Sequence, residues 1–279
     1  MGTSGSSFDS FTPPSPQYLR RALALRRWYF DPRISGLEHI HPDRPALLVG
    51  NHGLFGLLDA PLFVYELYAH TGVFPRSLGD HAHFRIPGWG RLLRAGGAVP
   101  GTPANCSRLM EAGEFILVFP GGAREVAKRR TETNDLVWKR RTGFARMALT
   151  HGYDILPFAS VGCDDSYDIV FDGNDLASSR PGRWLLRQDR LRSLTRNGDL
   201  VMPLARGIGR TALPRPEPFR FRLGPPIATR DWPGDAANEE ACWALREETA
   251  GRIRTLIKEL QAESMTEERP RWRRWLTKQ

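Results

Sequence analysis

Cysteine is scarce in this chain: three in 279 residues, Cys106, Cys163 and Cys242. They have neither disulfide nor metal-site spacing, so the sequence reads as one kept in a reducing compartment. Long apolar runs are missing too. No stretch approaches the roughly 20 apolar residues that cross a bilayer, so no transmembrane span is expected. The first seventeen residues are rich in Gly, Ser and Pro and lack the apolar core of a secretory signal. They are expected to form a flexible tail. Glycines are plentiful, yet nowhere do they take the spacing of a dinucleotide or triphosphate loop. No internal repeat is visible.

Charge of one sign is in excess, with 40 Lys and Arg against 31 acids and a net charge of +9. That surplus points to an anionic partner: nucleic acid, lipid headgroups or a phosphorylated cofactor. Two segments interleave it with aromatics. From Gln17 to Phe30, Tyr18, Trp28, Tyr29 and Phe30 alternate with Arg20, Arg21, Arg26 and Arg27. Such a helix rests in a lipid interface, or packs on its domain with the arginines in water. The tail Arg269 to Lys278 sets Trp272, Trp275 and Leu276 among arginines in the same way. A peripheral protein on the cytoplasmic face of an anionic membrane is the corresponding expectation.

Apolar runs at Ala46–Val49, Val73–Leu78, Phe115–Phe119 and Ile155–Val161 alternate with helical patterns, among them Leu57–Tyr68, Pro103–Glu111 and Thr142–His151. Alternation of this kind predicts an α/β fold with a mostly parallel central sheet flanked by helices. Residues 1–36 form a tail plus a basic amphipathic helix, and 37–230 the main domain. Within it, 162–218 reads as an irregular insertion. Residues 231–279 hold a C-terminal helix, with Trp243, Leu245, Ile253, Ile257 and Leu260 on its apolar side, and the Trp-containing tail. Phe219–Leu223 alternates apolar and basic residues and is expected to be a half-exposed strand.

The run Ala46–Val49 ends at Gly50 and delivers Asn51 and His52 to a strand terminus, where reacting groups of α/β sheets commonly sit. His52 is a candidate general base and Asp59 the carboxylate that orients it. The alternative is a strand-end histidine that caps a helix. Downstream, Asp80-His81-Ala82-His83 admits two readings: polar loop residues near a cleft, or, with His52, the ligands of a metal-dependent hydrolase. A basic nucleic-acid-binding module is a third class consistent with the charge.

Four ordered blocks within residues 40–165 resemble the glycerolipid acyltransferase superfamily, the lysophosphatidate acyltransferase-like proteins. They are Asn51-His52 with Asp59, Phe84-Arg85-Ile86-Pro87-Gly88, Val118-Phe119-Pro120-Gly121-Gly122-Ala123-Arg124-Glu125, and Leu156-Pro157-Phe158. The resemblance implies an O-acyltransferase that moves a fatty acyl chain from an acyl thioester, on coenzyme A or acyl carrier protein, to a hydroxyl of a glycerolipid or lysophospholipid. It implies a lipid substrate, no nucleic acid, no metal and no bound cofactor. His52 and Asp59 would be catalytic. Asn51, Phe84, Arg85, Phe119, Pro120, Gly121, Gly122 and Arg124 would bind substrate, with backbone N–H groups of Gly121-Gly122 facing the oxyanion and Arg85 and Arg124 holding phosphate.

Two departures refine this. The family usually leaves four residues between His and Asp, whereas six intervene here, and Gly121 stands where a glutamate is usual. Both resemble the monoacylglycerol and diacylglycerol acyltransferase-like branch, whose acceptors are neutral alcohols. Seven positions along a regular helix separate two side chains by about 10 Å. Pairing of His52 with Asp59 therefore requires Gly53 to Gly56 to fold back as a loop.

Overall fold

The computed structural model describes residues 11–188 and 200–277. In chain order the described strands are β1 Arg33–Ser35, β2 Leu47–Gly50, β3 Arg76–Gly79, β4 Val99–Pro100, β5 Ile116–Val118, β6 Ile155–Val161, β7 Asp168–Phe171, β8 Leu204–Arg206 and β9 Arg220–Leu223. Seven form one sheet in the order β1-β9-β6-β2-β5-β3-β4. Its pairings are parallel except β6–β9.

Central strands are apolar on both faces because helices cover both. Leu47 and Val49 of β2 face a cluster with Leu109, Ala145 and Ile253, whereas Leu48 faces Leu62, Phe63 and Phe221. The helices Pro103–Glu111, Gly143–His151 and Glu239–Thr266 therefore lie on one side, and Asp59–Thr71 on the other. Thr102 starts the first of these as expected, its hydroxyl accepting from Asn105 N–H with Pro103 at the first helical position.

Several expectations need correction. Residues 1–10 of the expected tail, and Lys278 at the other end, lie outside the described residues. Residues 11–15 are not free. The Phe11 ring covers the guanidinium of buried Arg76 at 4.3 Å and meets Phe74. The basic aromatic helix is two short helices, Pro16–Ala22 and Ala24–Phe30. Phe30 belongs to the core, stacked on Phe219 at 4.4 Å. Trp28 stays exposed and stacks on Trp272 of the C-terminal helix Arg271–Thr277 at 5.4 Å. Arg273 ties the two termini together by donating to the Trp28 carbonyl.

β9 is not half-exposed. Arg220 is buried because Glu267 receives its guanidinium in a two-pronged pair at 2.7 Å, and Arg222 leans on Glu263. Trp243 sits on the polar flank of its helix, with Arg246 over its ring, rather than on the apolar side. The described part of the insertion holds regular structure: β7 and β8 pair antiparallel, and the helices Gly173–Ser178 and Arg180–Arg187 follow β7.

Candidate active site

Three of the four sequence blocks begin where neighbouring parallel strands end. Asn51-His52 follows β2, Phe119-Pro120-Gly121 follows β5, and Asp80 to Gly88 follows β3. The fourth block lies within β6, which pairs with β2 through Val49 opposite Pro157 and Gly50 opposite Phe158. Carboxyl ends of parallel strands create a crevice into which side chains from distant sequence converge.

Asn51 fixes the geometry at the end of β2. Its amide exchanges two hydrogen bonds with the Ser160 backbone, 2.7 Å to the carbonyl and 2.8 Å from the N–H. The amide thereby ties the end of β2 to β6, with the Asn51 side chain buried.

The six residues between His52 and Asp59 reverse direction in a 3-10 turn, Leu54–Gly56. Phe55 and Gly56 both have positive φ, 65° and 64°. The reversal brings Asp59, at the first position of its helix, back to His52: Nδ1 lies 3.0 Å from Asp59 Oδ2. The Gly53 N–H donates to the same oxygen at 2.7 Å. An ionised carboxylate only accepts hydrogen bonds, so Nδ1 carries the proton and Nε2 the lone pair. Phe119 stacks on the imidazole, 3.9 Å between centroids. Nε2 points over Gly56, where any Cβ would stand 2.7 Å away, and 13% of the His52 side chain remains exposed. The imidazole is thus oriented at one nitrogen and open at the other.

Electrostatics favour a basic ring. Burial alone would lower the His52 pKa, but Asp59, by charge and hydrogen bond, and Glu125 outweigh it and the opposing Lys128, leaving it raised. Burial would raise Asp59, yet His52 and the N–H groups of Gly53 and Ala60 hold it below the usual range. The two form a histidine–carboxylate pair in which each favours the other's charged form.

The third block makes a tight turn closed by Gly122 N–H to Phe119 carbonyl at 3.0 Å. That bond occupies the Gly122 N–H, so of the two expected oxyanion donors only the Gly121 N–H stays outside the turn's own closure. Arg141 reaches the turn from the far side, donating from Nη1 to the carbonyls of Pro120 and Gly121 at 2.8 Å each. Gly121 has a steric reason. A Cβ there would meet Glu125 Oε2 at 2.3 Å, so the Glu125 carboxyl already fills the space a side chain at 121 would need. Glu125 is fully buried, and the Val137 N–H and the charges of Lys128 and His52 are what favour its ionised form.

Arg124 departs from expectation. Its guanidinium is buried, donating to the Ala127 carbonyl at 3.1 Å and to Glu132 at 2.5 Å, and so serves as an internal tie rather than a phosphate clamp. Arg85 is exposed at the end of the helix His81–Arg85, and Phe84 is half-buried beneath Arg94. His81 and His83 stand exposed on that helix, apart from His52 on its own loop. Among the described residues no group of three His, Cys, Asp or Glu side chains could hold a metal ion, so the hydrolase ligand set does not assemble.

Sequence reasoning overlooked Lys128, Asp164 and Arg141. Asp164 Oδ1 accepts from Leu54 N–H at 2.7 Å, while its Oδ2 accepts from Lys128 Nζ at 2.5 Å and Asn134 N–H at 2.8 Å. The one available signal was their chemistry: an acid and a lysine in runs that the fold buries.

Fold and site together are of the acyltransferase type: residues 31–161, just under half of the chain, match the family model described as Acyltransferase. The chain is 35% identical to "Phytyl ester synthase 1, chloroplastic" of Arabidopsis thaliana, over 51% of this chain and 21% of that protein. It is 31% identical to the Homo sapiens "DGAT1/2-independent enzyme synthesizing storage lipids", over 56% of this chain and 46% of that protein. The chain therefore spans less than half the length of either relative. The crystal structure of the 1-acyl-sn-glycerophosphate acyltransferase PlsC from Thermotoga maritima shares the fold with a TM-score of 0.51 at 19% identity, over 88% of this chain and 78% of that one.

Proposed function

We propose that the chain transfers a fatty acyl group from an acyl thioester, on coenzyme A or acyl carrier protein, to the hydroxyl of a neutral glycerolipid or alcohol acceptor. One observation carries this reading: His52 is held by Asp59 at Nδ1 and open at Nε2, at the joint end of three parallel strands in a chain that matches the Acyltransferase family model. His52 Nε2 takes the acceptor hydroxyl proton as the oxygen attacks the thioester carbon, and the imidazolium then returns the proton to the departing thiolate. A positioned base of this kind contributes about 10²–10⁴-fold. The Gly121 N–H is the candidate donor to the tetrahedral oxyanion. No acyl-enzyme is required.

The neutral acceptor is favoured because Arg124 is committed internally, and because the two relatives are named for a phytyl ester and for storage lipids. Arg85 remains for the phosphates of the donor. Labelled acyl-CoA and acyl carrier protein offered with mono- and diacylglycerols, long-chain alcohols and lysophospholipids test the proposal. Ester formation that is lost in a folded His52→Ala variant supports it. No ester with any acceptor, or full activity in the variant, refutes it.

The same reading includes binding to an anionic membrane surface. Support comes from Tyr18, Leu25, Trp28 and Trp275, all exposed on the joined terminal helices beside Arg20, Arg21 and Arg274. Among the described residues no helix is long and apolar enough to cross a membrane. Many arginines are paired with acids inside the fold, among them Arg27–Glu66, Arg76–Glu114 and Arg220–Glu267, so the net surplus of +9 is left to other basic residues such as those beside these exposed aromatics.

A further inference from the structure

We propose that Asp164 is a positioning residue for the His52–Asp59 pair: by accepting the Leu54 N–H it pins the return turn that carries Asp59 back to His52, with Lys128 holding the carboxylate in place. The proposal rests on the acyl-transfer reading above and adds residues that lie outside all four sequence blocks. The turn needs an anchor. Phe55 is a non-glycine residue with φ 65°, a conformation L side chains rarely adopt, so the reversal does not hold itself. The anchoring point is Leu54, the turn's first residue, whose N–H meets Asp164 Oδ1 at 2.7 Å.

Asp164 is itself over-determined. Lys128 Nζ and the Asn134 N–H both donate to its other oxygen, at 2.5 and 2.8 Å, and the Lys128 and Asp164 side chains are 1% and 4% exposed. Burying a complete ion pair gains little stability over a well-packed apolar pair, so its place here fits a role in geometry. Three loops meet at this carboxylate: the one after β2, the one after β6, and the segment after the glycine turn. It therefore sets the base relative to the oxyanion turn.

The groups facing His52 make the consequence measurable. Asp59 and Glu125 raise its basicity, while burial and Lys128 lower it; Phe119 and Gly56 pack against the ring. If the turn relaxes, Asp59 recedes, and His52 becomes less basic as well as misaligned.

Two double variants of the full chain separate geometry from charge. Lys128→Met/Asp164→Asn and Lys128→Met/Asp164→Ala both remove the ion pair without stranding a buried charge, but only the first keeps an oxygen for the Leu54 N–H. The NMR titration midpoint of the His52 ring, which needs no substrate, is read beside kcat and KM. Loss of Lys128 removes a cation that lowers His52 in both variants, so the Asn variant is the baseline: the Ala variant should titrate below the Asn variant and lose about 10²-fold in kcat against it at nearly unchanged KM. Leu54→Pro deletes the donor instead; Gly53 before it is extended, as a residue preceding proline should be, and this variant should reproduce the lowered midpoint. A midpoint in the Ala variant equal to that of the Asn variant overturns the proposal, and so does a wild-type midpoint in Leu54→Pro. Because the midpoint is independent of turnover, failure of the acyl-transfer reading alone leaves it decisive.

Discussion

Replacing Glu125 by Gln should remove a pH-dependent weakness of the fold. Glu125 is buried beside the glycine turn, and burial, against the favourable charges of Lys128 and His52, pushes its carboxyl from an ordinary 4.5 up to about 7. The folded chain therefore holds this proton more tightly than the unfolded chain does. Below pH 4.5 both states carry it and the stabilisation is complete. Between 4.5 and 7 only the folded state binds it, so stability falls as pH rises, and above 7 the loss is complete. A separation of about 2.5 pH units at roughly 1.4 kcal/mol each amounts to about 3 kcal/mol. Gln has the same shape and does not titrate. Thermal melts of both proteins from pH 4 to 8 should show Glu125→Gln gaining on wild type by about 3 kcal/mol, roughly 6–12 °C in Tm. His52, whose pKa is also raised, loses its contribution as pH climbs from 6.5 through its folded value; the larger part, due to Asp59, cancels in the difference, and the smaller part, due to Glu125, is present in wild type only. Parallel wild-type and variant curves across this range would refute the reasoning.

Gly56→Ala should cost about 1–2 kcal/mol for a side chain at φ 64°. It should also depress kcat by at least about tenfold, because the new methyl meets Nε2 at 2.7 Å; unchanged kcat in a folded variant would place the reacting nitrogen elsewhere. Asp59→Asn should lower kcat with little change in KM, since it removes the charge that stabilises the imidazolium; a loss confined to KM would make Asp59 a substrate contact. Trp28→Ser with Trp275→Ser should release the protein from anionic vesicles at moderate salt while leaving its melt nearly unchanged. Phe30→Ser should instead unfold the chain, its ring being 3% exposed, and co-sedimentation with a parallel melt distinguishes the two.

How far the primary structure reaches depends on whether an interaction is local. β2, β5 and β6 were legible because strands covered on both faces must be nearly all apolar, and runs such as Leu47–Val49 and Ile155–Val161 have no other economical reading. β1 and β4, three and two residues long, carry no such pattern. They are strands because β9 and β3 pair with them. The blocks holding His52 and the glycine turn could be picked out too, since a residue at a strand end and glycines after a strand are local features. Whether Asp59 reaches His52 was decided by the fold alone. A helical spacing would hold them apart, and the reversal at Phe55-Gly56 depends on Asp164, 110 residues from Leu54. The same holds for direction. The sequence states that Arg124 is a cation beside the turn and that Phe30 is an aromatic among arginines. Only packing turns one inward to Glu132 and the other onto Phe219, because burial and partner choice are set by neighbours that the chain brings together from far apart.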